Sequence, residues 1–141
     1  MKKATQQQKN SFWEQANEWQ LREVMEFTED KELRSMAIKF YNWKQATEYQ
    51  LKDIMKYAKD KEARDKANKF YQWEQADEEQ LRNIMVYAVD KEIRDKAVSQ
   101  YKWEEATQGQ LRSIMEYALD KETRDKAELY LPDVYKYLIN K

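Results

Sequence analysis

Trp13, Trp43, Trp73 and Trp103 stand thirty residues apart, and the chain around them repeats with the same period. Ten columns are identical in all four copies; in the third copy they are Trp73, Ala76, Gln80, Leu81, Met85, Asp90, Lys91, Glu92, Arg94 and Ala97. A fixed period of this length marks a repeat array, in which each unit is one supersecondary element that buries its apolar side on its neighbours. The period sets repeats at 13–42, 43–72, 73–102 and 103–132 within one repeat domain, 1–141. The ends, 1–12 and 133–141, read as caps, because a terminal repeat must cover a side that has no neighbour. One Gly and one Pro in the whole chain are too few for strands joined by turns, so the repeats are helical and the fold class is all-α.

Each repeat reads as two helices, of about 12 and about 14 residues, which fill the period with short connections. Asn17, Thr47, Asp77 and Thr107 are N-cap residues, and Gln20, Gln50, Gln80 and Gln110 stand three places later. That is the capping-box spacing: the cap oxygen accepts an orphan amide, and the Gln reaches back to the amide of the cap. Leu81, Ile84, Met85 and Ala88 then follow at i, i+3, i+4 and i+7, one buried stripe. The Met column (Met25, Met55, Met85, Met115) lies in this stripe and reads as packing. The second helix opens on a repeated nonapeptide, VDKEIRDKA at 89–97 in the third copy, with Asp30, Asp60, Asp90 and Asp120 as caps. Asp90–Arg94, Lys91–Asp95 and Glu92–Lys96 are i,i+4 opposite-charge pairs, each contributing about 0.2–0.5 kcal/mol to an exposed helix. The Trp column closes the second helix and reads as core; a ladder for stacking bases is the alternative.

The order Asp, apolar, Arg, Ala at the opening of the second helix runs Asp30, Leu33, Arg34, Ala37 in the first repeat and recurs as Asp60…Arg64…Ala67, Asp90…Arg94…Ala97 and Asp120…Arg124…Ala127. It resembles the HEAT repeat, especially its short bacterial forms, over most of the chain. The resemblance implies a right-handed α-solenoid of four helical hairpins, with this Asp and Arg forming a ladder between adjacent repeats.

A mean hydropathy of −1.17 with 38% charged residues would suit a disordered chain, but 13% aromatic residues at regular spacing would not. With no Cys there is no disulfide or thiolate site, and with no His the commonest general base and metal ligand are missing. The chain therefore reads as non-enzymatic, with no catalytic residue, metal or cofactor. No apolar run approaches a membrane span, and the start MKKATQQQKNSF lacks the apolar core of a secretory signal. The expected location is the cytoplasm. The 26 basic and 27 acidic residues give a net charge of −1, not the footprint of a general nucleic-acid binder.

The expected partner is a protein or peptide. The candidate surface is the side of the second helices opposite the Ala stripe, which lines the concave side of a superhelical stack. It carries Ile38, Lys39 and Asn42 in the first repeat, Asn68, Lys69 and Gln72 in the second, and Val98, Ser99 and Lys102 in the third. Ile38 and Val98 are apolar where a solvated face would be polar. Trp19 and Tyr49 share a column that becomes Glu79 and Gly109, and read as exposed anchors. The second repeat has eight basic and five acidic residues, a net +3, against −3, −2 and −3 for the others. Lys52, Lys56 and Lys59 in that repeat are the candidate phosphate contacts of the alternative reading, a nucleic-acid binder. An open solenoid end would permit end-to-end dimers as well as a monomer.

Overall fold

The computed structural model describes residues 5–133, apart from the side chain of Lys9. All regular structure among them is helical. A leading helix, α1 (Gln6–Gln15), precedes four successive pairs: α2 (Glu18–Phe27) with α3 (Lys31–Phe40), α4 (Glu48–Tyr57) with α5 (Lys61–Phe70), α6 (Glu78–Tyr87) with α7 (Lys91–Gln100), and α8 (Gln108–Tyr117) with α9 (Lys121–Leu129). The chain forms two compact units, one ending at Gln72 and one beginning at Trp73, and each holds two hairpins. In the first unit α2 also packs on α4, and in the second α6 packs on α8. The proposed cap helix at 133–141 lies outside the described residues beyond Asp133.

The helix starts follow the local spacing. Asn17–Gln20, Thr47–Gln50 and Thr107–Gln110 form complete capping boxes, and Asp77 accepts from the Gln80 amide. Thr5 and Gln8 form a fourth box at α1, which the Thr-x-x-Gln spacing also encodes. The Leu–Ile–Met–Ala stripe supplies the core: Leu51, Ile54, Met55 and Ala58 in the first unit, and Leu81, Ile84, Met85 and Ala88 in the second, are all at most 3% exposed. Gly109 sits at the second position of α8, and a Cβ there would meet only Thr107 Oγ1 at 4.0 Å. Gly109→Ala is therefore expected to raise stability by about 0.5–1 kcal/mol, read as a higher urea midpoint at unchanged slope.

The helix ends depart from the sequence reading. Each second helix is shorter than expected, stopping at Phe40, Phe70, Gln100 or Leu129 rather than running on to the Trp column. Tyr41, Tyr71 and Tyr101 leave the helix in extended conformation, and Trp43, Trp73 and Trp103 each open a single 3₁₀ turn. No described residue has a positive φ, so the left-handed glycine cap is not used and side-chain donors must serve the orphan carbonyls. Trp43 Nε1 donates to the Ile38 carbonyl at 2.9 Å, and Trp103 Nε1 to that of Val98 at 3.1 Å. The next amide is also satisfied within the hairpin: those of Asn42, Gln72 and Lys102 donate to Glu18, Glu48 and Glu78 at 2.9–3.0 Å. In the fourth copy that amide belongs to Pro132, which has none, and the acceptor position has become Gln108.

Candidate functional site

The densest polar constellation is built from the nonapeptide. Arg94 donates from Nε to Asp120 Oδ2 at 2.8 Å and from Nη2 to Oδ1 at 3.1 Å, while Nη1 bonds the Ala88 and Val89 carbonyls at 2.9 and 2.8 Å. One guanidinium thus closes the C-terminus of α6 and clamps the start of α9 in the next hairpin. Both side chains are buried, at 7% and 8% exposure. Arg34 does the same in the first unit, to Asp60 Oδ2 at 2.8 Å and to the Thr28 and Glu29 carbonyls at 2.8 and 2.9 Å, with Lys31 joining Asp60 Oδ1 at 2.6 Å. The ladder that the HEAT resemblance implies is present at these two steps.

This corrects the capping assignment. Asp60 and Asp120 occupy the N-cap position but make no side-chain bond to their own helices, because their carboxylates are held by the preceding hairpin. Asp30 caps α3 in the ordinary way, through the Glu32 and Leu33 amides. The hydrogen bond from Arg94 holds Asp120 below the usual carboxylate range, against the effect of burial. For Asp60, burial pushes upward, but the bonds from Arg34 and Lys31 win and the shift is downward. At these two steps the Arg and Asp of the nonapeptide fasten one hairpin to the next.

Three of the four Trp residues are buried as the core reading expects, Trp43, Trp73 and Trp103 at 4–7% exposure, while Trp13 is half-buried. Of the surface proposed on the second helices, Ile38 is not part. It is 1% exposed, because α3 is covered by α2, by α1 through the stacked Trp13 and Phe40 rings, and by Trp43, whose indole bonds the carbonyl of Ile38 itself. Lys39 and Lys69 are exposed and lie over the adjacent Phe40 and Phe70 rings. Asn42, Gln72 and Lys102 are exposed, but each spends its backbone amide on the hairpin. Asn68 and Val98 are half-buried and Ser99 is exposed. Val98 and Ser99 come together in a depression of about 330 Å³ between α7 and α9, beside Lys91, which is paired with Asp95 at 3.1 Å and Glu122 at 2.6 Å.

The lysine cluster is not a free basic strip. Lys52 lies 3.9 Å from Asp53 and 5.0 Å from the Tyr49 ring, and Lys56 lies 4.9 Å from the Tyr57 ring. Lys59 stands beyond the end of α4 and pairs with Glu29 at 3.4 Å. A cavity of about 660 Å³ opens between α1 and α2, lined by Gln, Thr and Ser side chains with Phe12 and Ala16. Those side chains carry no ionisable group. No group of acidic residues suited to a metal ion occurs among the described residues, and no described helix is long and apolar enough to cross a membrane.

Trp19 and Tyr49 are exposed as expected, at 58% and 55%. The sequence reading missed a stronger feature beside them. The last residue of every first helix is aromatic and exposed: Phe27 at 69%, Tyr57 at 55%, Tyr87 at 53% and Tyr117 at 57%. The signal was present, since this column is aromatic in all four copies yet falls off the Leu–Ile–Met–Ala stripe. Near it, Glu26 is pushed up to about 6 by burial, with Asp53 and Glu23 adding to the rise and Arg22 opposing it. Folding therefore favours the protonated form. The contribution is complete below the ordinary value of 4.5 and is lost as pH rises through about 6. Glu26→Gln stays neutral throughout, so its urea midpoint is expected to exceed that of the wild type more at pH 7 than at pH 4.

Comparison with protein-family models, with curated proteins and with solved structures gives no match.

Proposed function

We propose that the protein is a non-enzymatic protein-binding module, serving as an adaptor, inhibitor or scaffold. We read its hairpins as repeats of an α-solenoid, right-handed as the HEAT resemblance implies. The observation that carries the functional reading is the exposed aromatic column Phe27, Tyr57, Tyr87 and Tyr117. More than half of each residue is exposed, so burial in the core does not account for an aromatic at that position in every hairpin. Large rings held on rigid helices are the usual anchors of protein interfaces, because they bury much area with few rotamers to freeze. The first helices, rather than the second, thus offer the better contact surface.

The test is affinity capture from a lysate with the wild type beside a variant carrying Phe27→Ala, Tyr57→Ala, Tyr87→Ala and Tyr117→Ala, both checked for helix by circular dichroism. A defined protein bound stoichiometrically by the wild type, rebinding after purification, and lost from the folded variant is the expected result. Equal recovery by both sinks the aromatic column as the contact surface. Recovery of nucleic acid that salt releases replaces the reading with the nucleic-acid one.

A further inference from the structure

Arg34, Arg94 and Arg124 each stand fourth in their second helix, and each uses Nη1 to close the first helix of its own hairpin. For Arg124 the acceptors are the Ala118 and Leu119 carbonyls, at 2.8 and 2.9 Å. Two acceptors on one nitrogen fix the direction of the whole guanidinium, because its donors form a rigid planar fork. In Arg34 and Arg94 the remaining edge turns to the Asp that opens the next second helix, Asp60 through Nε and Asp120 through Nε and Nη2. In Arg124 the fork is set in the same way, and no described residue takes Nε or Nη2.

The lysine three places earlier belongs to the same grip. Lys31 joins Asp60 at 2.6 Å, and Lys91 reaches Glu122, two residues after Asp120, at 2.6 Å. In the second unit a Lys-x-x-Arg pair on α7 thus holds an Asp-x-Glu segment at the opening of α9. That pair recurs on α9 as Lys121 and Arg124. Lys121 is 76% exposed and bonds Asp125 of its own helix at 2.7 Å. Such a bond does not use up the ammonium, since Lys91 bonds Asp95 and reaches Glu122 as well. The apolar part of the contact is also in place. Ser99 lines the depression between α7 and α9, so its column faces the next hairpin. In α9 that column holds Leu129, which is 73% exposed.

Charge and spacing select the occupant. A guanidinium edge with an ammonium one turn before it complements two carboxylates two residues apart, and the edge takes a carboxylate through two parallel bonds. We propose that the outer side of α9 docks a helix of a partner protein that opens on Asp-x-Glu, with the Asp on Nε and Nη2 of Arg124, the Glu on Lys121 and an apolar side chain on Leu129. The contact repeats between two proteins the one that α7 makes with α9 inside the second unit. The proposal rests on the protein-binding reading but uses a surface apart from the aromatic column.

The experiment is fluorescence anisotropy of the full chain with a labelled alanine-rich helical peptide that opens on Asp-Lys-Glu, beside one that opens on Asn-Lys-Gln. The second peptide keeps a capping residue and lacks both negative charges. The acidic peptide is expected to bind at least about tenfold more tightly. Arg124→Lys, checked for helix by circular dichroism, should weaken it about tenfold, because one ammonium cannot serve both the carbonyls and the carboxylate. Lys121→Gln changes an exposed side chain outside the core and should weaken it about threefold or more. Lys39→Gln, which removes one exposed charge from the first unit, should leave binding unchanged. Equal binding of the two peptides, equal binding by wild type and Lys121→Gln, or no binding at millimolar concentration overturns the proposal. Self-association of the unlabelled chain in sedimentation, lost on Lys121→Gln, gives the surface to a second copy and also overturns it. If the peptide fails while a partner is captured through the aromatic column, the protein-binding reading survives alone; if capture fails too, both fall.

Discussion

Arg94→Ala is expected to destabilise the second unit by about 3–5 kcal/mol, the usual cost of removing one member of a buried ion pair. The size follows from what is left behind. Asp120, 8% exposed, keeps its charge and loses both guanidinium bonds, and the Ala88 and Val89 carbonyls lose their donor at the end of α6. Arg94→Lys should recover little, because one ammonium cannot reach two carboxylate oxygens and two carbonyls in that fork geometry. Arg94→Met combined with Asp120→Leu should return much of the loss, since the pair is costly to break and of small net worth. Arg34→Ala should cost less than Arg94→Ala, because Asp60 keeps Lys31 at 2.6 Å. Urea unfolding followed by circular dichroism ranks the four variants. The pH dependence supplies a second check. Asp120 titrates below its ordinary value of 3.8, so its contribution is present above that value and is lost as pH falls through the folded one. The gap between wild type and Arg94→Ala should therefore narrow in acid. A loss under about 1 kcal/mol would mean the pair behaves as a solvated surface bridge.

The same pair shows where sequence reasoning stops. The capping boxes were legible because cap and Gln lie three residues apart and one helical turn fixes their geometry. The core stripe was legible because its spacing matches the helix. The carboxylates of Asp60 and Asp120 were misassigned because two uses compete for them, a local cap and an Arg 26 residues upstream, and spacing within one helix reveals only the first. Asp30 keeps the local role and accepts from the Glu32 and Leu33 amides. Ile38 was misread for a related reason. Its column lies off the Ala stripe, but α3 is covered from more than one side, so its apolar arc is wider than one stripe. The exposed aromatic column was visible in the alignment of the repeats and was overlooked in favour of the columns that vary, although an invariant ring off the core stripe calls for an explanation of its own.

Trp103→Ala tests the remaining choice between core and ligand platform, with an expected cost of about 3–5 kcal/mol. Trp103 is 4% exposed, meets Tyr101 edge-on at 4.9 Å, stacks on Tyr130 at 5.9 Å and lies under Lys126 at 5.7 Å. Its indole N–H also closes α7 through the Val98 carbonyl. Trp103→Phe separates the two contributions: it keeps most of the ring packing and removes the donor, and should cost about 1–3 kcal/mol through the unpaired carbonyl and the lost volume. Trp13 is the internal comparison. It is half-buried, with Phe12 and Phe40 as its ring partners, so Trp13→Ala should cost clearly less than Trp103→Ala. That ordering is what a core column with one exposed end must give. If the two substitutions cost the same small amount, the rings are not supporting the hairpins, and the reason for holding a Trp at every thirtieth residue must be sought in a bound ligand instead.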